Sequence, residues 1–297
     1  MLRTLPQTFY EDPNIHKILV DGLSCAVHKK LEAAVYGKEG YISTHAITMI
    51  LQGTLRVEND DGLFEEVPAD HMVLLPKGIY TVSDILPKGG CFEALMFFFE
   101  PDVIQQFLDS LHFKGSKAKS VSHAVIKGHA DTRFFADSLL RLYVGGQAGS
   151  SNRQMTKMKL FEFLHLINRT FTDQERFPAM LASLNNKERK SLSEFMLSNF
   201  HKPLAIEDYA YLTGRSVSTF TRDFKTRFNG VAPKQWLIER RLEKAHDLLI
   251  KKPVNSISDV AWESGYSNVP HFIKAFNKRF GITPKQFSIE NRIKNAG

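Results

Sequence analysis

The C-terminal part of the chain contains two similar stretches, AIEDYAYLTGRSVSTFTRDFKTRFNGVAPKQW at residues 205–236 and SISDVAWESGYSNVPHFIKAFNKRFGITPKQF at residues 256–287. Twelve positions are identical when the second stretch is allowed one extra residue in its turn and one fewer residue before Pro284. So many identities are not expected by chance, whereas two copies are too few for a solenoid. The pattern therefore predicts one supersecondary unit that occurs twice.

Each copy predicts a helix, a tight turn and a second helix. The first helix should cover residues 207–213 or 258–264, and Gly214 or Gly265 should end it because glycine adopts the left-handed conformation without steric cost. The second helix has phenylalanines at i, i+4 and i+8, so they share one buried face: Phe220, Phe224 and Phe228, and then Phe272, Phe276 and Phe280. Because the opposite face is rich in Arg, Lys, Ser and Thr, the pair is typical of a helix-turn-helix that enters the major groove of DNA.

A single long helix is predicted between the copies, in the stretch PKQWLIERRLEKAHDLLIKK. Pro233 suits its first turn and Pro253 lies beyond its end. About 18 residues correspond to roughly 27 Å of helix. A helix of that length can hold two recognition helices in successive major grooves, which are about 34 Å apart.

The positive charge of the chain is confined to the same region. Residues 187–297 contain 20 Lys and Arg against 11 Asp and Glu, a net charge of +9, whereas residues 1–186 contain 19 against 21, a net charge of −2. Neutralisation of phosphates supplies most non-specific affinity for DNA, so this distribution favours a nucleic-acid partner.

The first half of the chain predicts short strands followed by helices. Apolar runs of four to nine residues between residues 47 and 99 are separated by Gly, Asn, Asp and Pro, which favours an antiparallel sandwich or small barrel. Helices are then expected at residues 101–111, 131–144 and 153–170, the second with Phe134, Phe135, Leu139 and Leu142 facing inward. The fold class is therefore α+β, with an all-α C-terminal domain.

The second copy resembles the hallmark of the AraC/XylS family of transcription regulators. The residues that carry the resemblance are Ile257, Val260, Ala261, Gly265, Tyr266, Ser267, Phe272, Phe276, Arg279, Phe280, Gly281, Ile282, Thr283 and Pro284. The first copy and the sequence Glu239-Arg240-Arg241-Leu242 in the predicted linker helix resemble the family equally well. A fainter resemblance to the type III secretion activators of the family lies in LQGTLRVEN at residues 51–59 and WLIERRLEKAHDLL at residues 236–249.

The family resemblance implies which residues contact DNA bases: Ser218, Thr221 and Arg222 in the first copy and Asn268, Val269, His271 and Lys274 in the second. Arg222 can donate to O6 and N7 of guanine together, whereas Pro270 removes a backbone donor. We therefore expect the first copy to carry more of the sequence specificity; His271 could equally be a cap or surface residue. Candidate phosphate contacts are Ser216, Thr219, Lys225, Arg227, Ser267, Lys278 and Arg279.

The resemblance also implies the domains and their partners. Residues 1–176 would form a cupin-like sensor and dimerisation domain, residues 177–186 a linker, and residues 187–297 the DNA-binding domain. The expected partners are double-stranded DNA, RNA polymerase, an unknown small-molecule or protein effector, and a second copy of the chain through the helix from Met155 to Asn168. Packing of that helix in the core is the alternative.

Other classes of protein are disfavoured by what the sequence lacks. There is no apolar stretch of the ~18 residues that a membrane span needs, and no apolar signal segment at the start, so we expect a cytoplasmic protein without a membrane partner. No His-x-His pair is present, and His45 and His71 are interpreted as surface or loop residues, so no metal, cofactor or catalytic residue is expected. Cys25 and Cys91 are interpreted as small buried hydrophobes. A metal-independent cupin-type enzyme and an architectural DNA-binding protein are the alternatives.

Overall fold

A computed structural model describes residues 2–60, 62–113, 115, 123–144, 153–184, 189–251 and 256–296. The chain divides into two compact units, residues 3–186 and residues 187–297, which we name the N-terminal and C-terminal domains. Within the described residues, no helix is both long enough and apolar enough to span a membrane.

The N-terminal domain is built on two β-sheets. One sheet has the strand order β1-β4-β9-β6-β7 and the other the order β11-β8-β5-β10-β3-β2. Neighbouring strands are antiparallel except for the parallel pair β1–β4. The strands are β1 (Arg3–Leu5), β2 (Ile15–Asp21), β3 (Ser24–Leu31), β4 (Val35–Ile42), β5 (His45–Gln52), β6 (Thr54–Asn59), β7 (Phe64–Pro68), β8 (His71–Leu75), β9 (Gly78–Ile85), β10 (Phe92–Phe99) and β11 (Ala124–Lys127).

Successive residues of the second sheet supply two separate cores because side chains alternate between the faces of a strand. On β3, Cys25 and Val27 point into the interior between the sheets, where they pack with Phe92 and Phe98. Ala26 points to the other face, which packs against helices. These helices are α1 (Pro101–Ser110), α2 (Ala130–Leu139), α3 (Arg153–Thr170) and α4 (Arg176–Ser183).

Two expectations about these helices are wrong. In the helix predicted at residues 131–144, Phe134 and Leu142 are 72% and 63% exposed. Adjacent residues of an α-helix lie about 100° apart, so Phe134 cannot face inward together with Phe135. The last turn, Leu140–Val144, is a π-helix, which shifts the periodicity for Leu142.

The segment interpreted as a linker is the second correction. Residues 177–183 lie in α4, where Phe177 and Leu181 are buried in the helical core of the N-terminal domain. Their spacing of four residues places both on one helix face. Residues 185–186 of the expected linker lie outside the described residues.

His45 also differs from its interpretation as a surface or loop residue. It lies in β5 and is 3% exposed. Its Nδ1 accepts a hydrogen bond of 3.1 Å from the Lys77 amide, which satisfies a ring nitrogen that burial would otherwise leave without a partner.

The C-terminal domain is helical, as the sequence predicts. Its helices are α5 (Leu192–Asn199), α6 (Ile206–Leu212), α7 (Val217–Arg227), α8 (Pro233–Lys251), α9 (Ile257–Ser264), α10 (Val269–Phe280) and α11 (Pro284–Ala296). The pairs α6–α7 and α9–α10 are the first and second helix-turn-helix units, and α8 is the helix that joins them.

Candidate nucleic-acid interface

Both recognition helices bury their phenylalanines and expose a polar face. Phe220 and Phe224 of α7, and Phe272 and Phe276 of α10, are fully buried. The third phenylalanine of each helix is half-buried. Burial of one stripe fixes which side of each helix faces solvent.

The turns that precede these helices have the expected glycines in the left-handed conformation. Gly214 has φ +68° and Gly265 has φ +103°. The helix that follows each turn begins at a side-chain cap. The Ser216 hydroxyl accepts from the Thr219 amide at 3.3 Å, and the Asn268 side-chain oxygen accepts from the His271 amide at 2.8 Å.

The caps give the structural correspondence between the two units. Ser216 and Asn268 are equivalent, so the extra residue of the second copy lies in its turn. Counting from the caps, Arg222 of α7 corresponds to Lys274 of α10, six residues after each cap. Ser218 and Thr221 correspond to Pro270 and Ile273.

The residues expected to contact bases lie near the starts of the two helices. Ser218, Arg222, Asn268, His271 and Lys274 are exposed, and Thr221 and Val269 are half-buried. The Arg222 side chain is 75% exposed and lies 3.5 Å from the carboxylate of Asp223. The Thr221 hydroxyl donates to the Val217 carbonyl within its own helix at 2.9 Å, which leaves its oxygen lone pairs for a ligand.

The expected phosphate contacts have more varied surroundings. Lys225 and Arg227 lie in the last turn of α7 and Lys278 and Arg279 in the last turn of α10, where cations also interact favourably with the helix dipole. Arg279 is the exception among them because its Nε lies 2.9 Å from the carboxylate of Glu239 in α8. The hydroxyl-bearing candidates flank the helix starts: Ser216 and Ser267 are exposed and Thr219 is half-buried.

An ion pair that the sequence did not predict holds the first turn against α7. Arg215 donates to the carboxylate of Asp223 at 3.2 Å and to the Lys190 carbonyl at 3.1 Å. The hydrogen bond from Arg215 lowers the pKa of Asp223, and the charge of Arg222 acts in the same direction. Asp223 therefore stays ionised beside the proposed base contact at neutral pH.

Arg241, in the Glu239–Leu242 stretch of α8, forms hydrogen bonds that the sequence did not predict. Its Nε donates to the Phe200 carbonyl and its Nη2 to the Lys202 carbonyl, both at 2.8 Å. The same Nη2 lies 3.4 Å from the Tyr209 hydroxyl. Its position on the linker helix between two apolar stretches was the only indication in the sequence that Arg241 has a structural role.

The N-terminal domain shows no comparable site for chemistry in its described residues. Groups of three or more His, Cys, Asp or Glu that could hold a metal ion are absent from that part of the chain. A buried ion pair between Lys29 and Asp84, with 2.6 Å between nitrogen and oxygen, joins the two sheets. The Lys29 nitrogen also lies 5.5 Å from the centre of the Phe92 ring.

Comparisons with known proteins agree with the two domains. A family model described as a helix-turn-helix domain matches residues 209–288, and one described as the ExsA N-terminal regulatory domain matches residues 45–177. The HTH-type transcriptional regulator ExsA of Pseudomonas aeruginosa is 27% identical over 257 residues, which are 84% of this chain and 88% of that protein.

Two further similarities were found. The virulence regulon transcriptional activator VirF of Yersinia enterocolitica is 33% identical over 133 residues, 44% of this chain and 48% of that protein. The chain thus matches about half the length of VirF. A solved structure of ToxT from Vibrio cholerae is 11% identical, with a TM-score of 0.40, and the match covers 89% of this chain and 98% of that one.

The matches fall on the same residues that carry the resemblance noted in the sequence. The helix-turn-helix match spans both recognition helices, and the ExsA-type match extends the similarity into the N-terminal half, where it includes the stretch LQGTLRVEN. Both halves match in the order that the sequence predicts, so the chain combines an ExsA-type N-terminal regulatory domain with a helix-turn-helix domain of the AraC type.

Proposed function

We propose that this protein is a sequence-specific DNA-binding transcription activator that binds two adjacent boxes through its two helix-turn-helix units. The observation that carries the proposal is the exposed polar and basic face of α7, directly opposite the fully buried Phe220 and Phe224. The relatives are named as transcription activators and regulators, which disfavours an enzyme.

The two units contribute unequally to specificity in this proposal. At equivalent positions α7 offers Ser218, Thr221 and Arg222, whereas α10 offers Pro270, Ile273 and Lys274. Serine, threonine and arginine can form directed hydrogen bonds with base edges, but proline and isoleucine make only apolar contacts. A lysine lacks the planar fork of arginine and discriminates guanine less strongly. Asn268, Val269 and His271 complete the base contacts of the second unit.

The N-terminal domain takes the role of effector domain, and a protein effector fits it better than a small molecule held between the sheets. The described interior is filled by buried side chains such as Val67, Tyr80, Phe92 and Phe98. Binding of a small molecule there would have to displace this packing. A protein partner needs only the outer surface.

The remaining partners follow from the proposed activity. Activation requires contact with RNA polymerase in the bacterial cytoplasm, where the chromosome lies. The outer face of α3 is proposed as a surface for a second copy of the chain. Its inner face is occupied by the core through Leu160, Phe163, Leu164 and Ile167, whereas Met158 is 60% exposed.

Selection of double-stranded DNA from a random library by the full-length protein tests the proposal. We expect enrichment of a two-box site with box centres about 10–10.5 base pairs apart. Affinity for that site should exceed affinity for random DNA by at least about 10³-fold at physiological salt. Equal affinity for both would contradict sequence-specific regulation and favour the architectural alternative.

A further inference from the structure

The linker helix α8 belongs to both helix-turn-helix units. Trp236, near its start, packs against Phe224 and Phe228 of the first unit, with ring centroids 5.6 and 4.8 Å apart. Leu242 and Ala245, in its second half, are buried with α9 and α10 of the second unit. The change from one core to the other occurs at Arg241.

Arg241 attaches α8 to the segment between α5 and α6, which leads into the first unit, through main-chain acceptors. Its two hydrogen bonds, to the Phe200 and Lys202 carbonyls, meet the chain just after the C-terminus of α5, where the helix dipole attracts a cation. The Tyr209 hydroxyl lies 2.9 Å from the same Lys202 carbonyl and 3.0 Å from that of Asn199. Hydrogen bonds from a charged, partly buried donor are about twice as strong as neutral ones.

The turn of the second unit lies directly against this group of atoms. A Cβ atom on Gly265 would lie 2.6 Å from the His201 carbonyl oxygen and 2.9 Å from Nε of Arg241. Real Cβ atoms do not come so close to such neighbours, so only glycine allows this approach. We call the meeting of His201, Arg241 and Gly265 the Arg241–Gly265 contact.

A cleft of about 420 Å³ opens beside the Arg241–Gly265 contact. Its lining includes Ile206 of α6, Lys234 of α8, and Ser267 and His271 of the second unit. A further polar connection among the described residues, between Glu239 of α8 and Arg279 of α10, involves side chains that are 42% and 49% exposed. Exposed ion pairs contribute little to stability.

We infer that Arg241 is a positioning residue that, through the Arg241–Gly265 contact, sets the number of base pairs between the two boxes. The inference rests on the proposed two-box binding. Adding one base pair between the boxes moves one of them by about 3.4 Å and rotates it by about 35°. A protein with fixed recognition helices cannot follow that displacement, whereas one with a loosened contact can.

Affinity measurements with the full-length protein on the selected site, on the site with one base pair added or removed, and on a single box test this inference. For the wild-type protein we expect a loss of at least about tenfold when the spacing changes. For Arg241→Met, which keeps an unbranched apolar stem, the loss should fall below about threefold while single-box affinity stays unchanged. Arg241→Lys should restore part of the spacing preference because an ammonium can donate to the same carbonyls.

Arg240→Met is the matched control. Arg240 lies next to Arg241 on α8, pairs with Glu243 at 2.9 Å within the same helix and lies 5.5 Å from the Trp236 ring centre, so it connects nothing between the units. It should keep the wild-type spacing preference. Wild-type preference in Arg241→Met, or an equal loss on every DNA including the single box, would overturn the inference. Selection that enriches no two-box site with the wild-type protein would instead remove the proposed function, and the inference with it.

Discussion

Arg222 and Lys225 lie on the same recognition helix but should act on DNA in different ways. Arg222 lies six residues after the cap of α7, with a side chain 75% exposed, whereas Lys225 lies in the last turn. We expect Arg222→Ala to lose about 1–3 kcal/mol of discrimination at one base pair of the site. Lys225→Ala should weaken binding to all sequences alike and lower the slope of log affinity against log salt by about 1.

Fluorescence anisotropy with the selected site and with random DNA, at several salt concentrations, separates the two effects. The Lys225→Ala variant serves as the control for general loss of charge. If Arg222→Ala weakened specific and random DNA equally, Arg222 would be a phosphate contact and the assignment of base reading to it would be wrong.

The two cysteines should differ in reactivity because their surroundings differ. Cys25 is fully buried, and burial raises the pKa of its thiol to about 12. The thiol therefore stays protonated at every pH below that value, and the thiolate is the reactive form. Cys91 is half-buried and donates to the Gln52 side chain at 3.2 Å.

Titration with a thiol reagent at pH 8 measures this difference. We expect at most one thiol, that of Cys91, to react in the native protein and both to react in guanidinium. The Cys91→Ser variant, as a control, should show no fast reaction. Equal rates for both thiols in the native protein would contradict the buried position of Cys25.

At the scale of elements, the start of α10 combines a structural and a proposed functional role in one side chain. Asn268 caps the helix, and the resemblance also assigns it a base contact. Asn268→Ala removes the cap and should lower the free energy of unfolding by about 1 kcal/mol. Asn268→Asp keeps the cap and favours the helix dipole, yet places a negative charge beside DNA.

Urea denaturation and DNA binding together distinguish the roles. Asn268→Asp should keep wild-type stability while its DNA affinity falls by about tenfold, which is about 1.4 kcal/mol. Ser256→Ala, which removes the cap of α9, is the control for lost capping alone. Unchanged DNA affinity in Asn268→Asp would place Asn268 away from the DNA.

At the scale of the whole molecule, the outer face of α3 is proposed to join two copies of the chain. Met158 is 60% exposed on the face opposite Phe163 and Leu164. Met158→Asp should shift the protein from dimer to monomer in sedimentation equilibrium and change stability by less than about 0.5 kcal/mol, because the side chain is on the surface. Leu197→Asp places the same charge at an exposed leucine of α5, in the other domain, and should leave the dimer intact. A wild-type protein that stays monomeric at all concentrations would contradict the proposed surface.

The sequence by itself determined the elements of the C-terminal domain and its kind of partner. Phenylalanines at four-residue spacing, glycines after α6 and α9 and the confined positive charge are local signals that act within one or two helical turns, so each can be detected without the fold. The α+β fold class and the strands between residues 47 and 99 were predicted in the same way from short apolar runs and the turn residues between them.

Only the tertiary structure decided which side chains meet over long distances in the sequence. The burial of His45, the packing of α4 in the core rather than in a linker, and the exposure of Phe134 depend on neighbours from other elements. The same holds for the Arg241–Gly265 contact, which joins residues from α8, the chain after α5 and the turn before α10. Local periodicity indicates that a face is buried, but it contains no information about the partner that buries it, so the Arg241–Gly265 contact could not be predicted from the sequence.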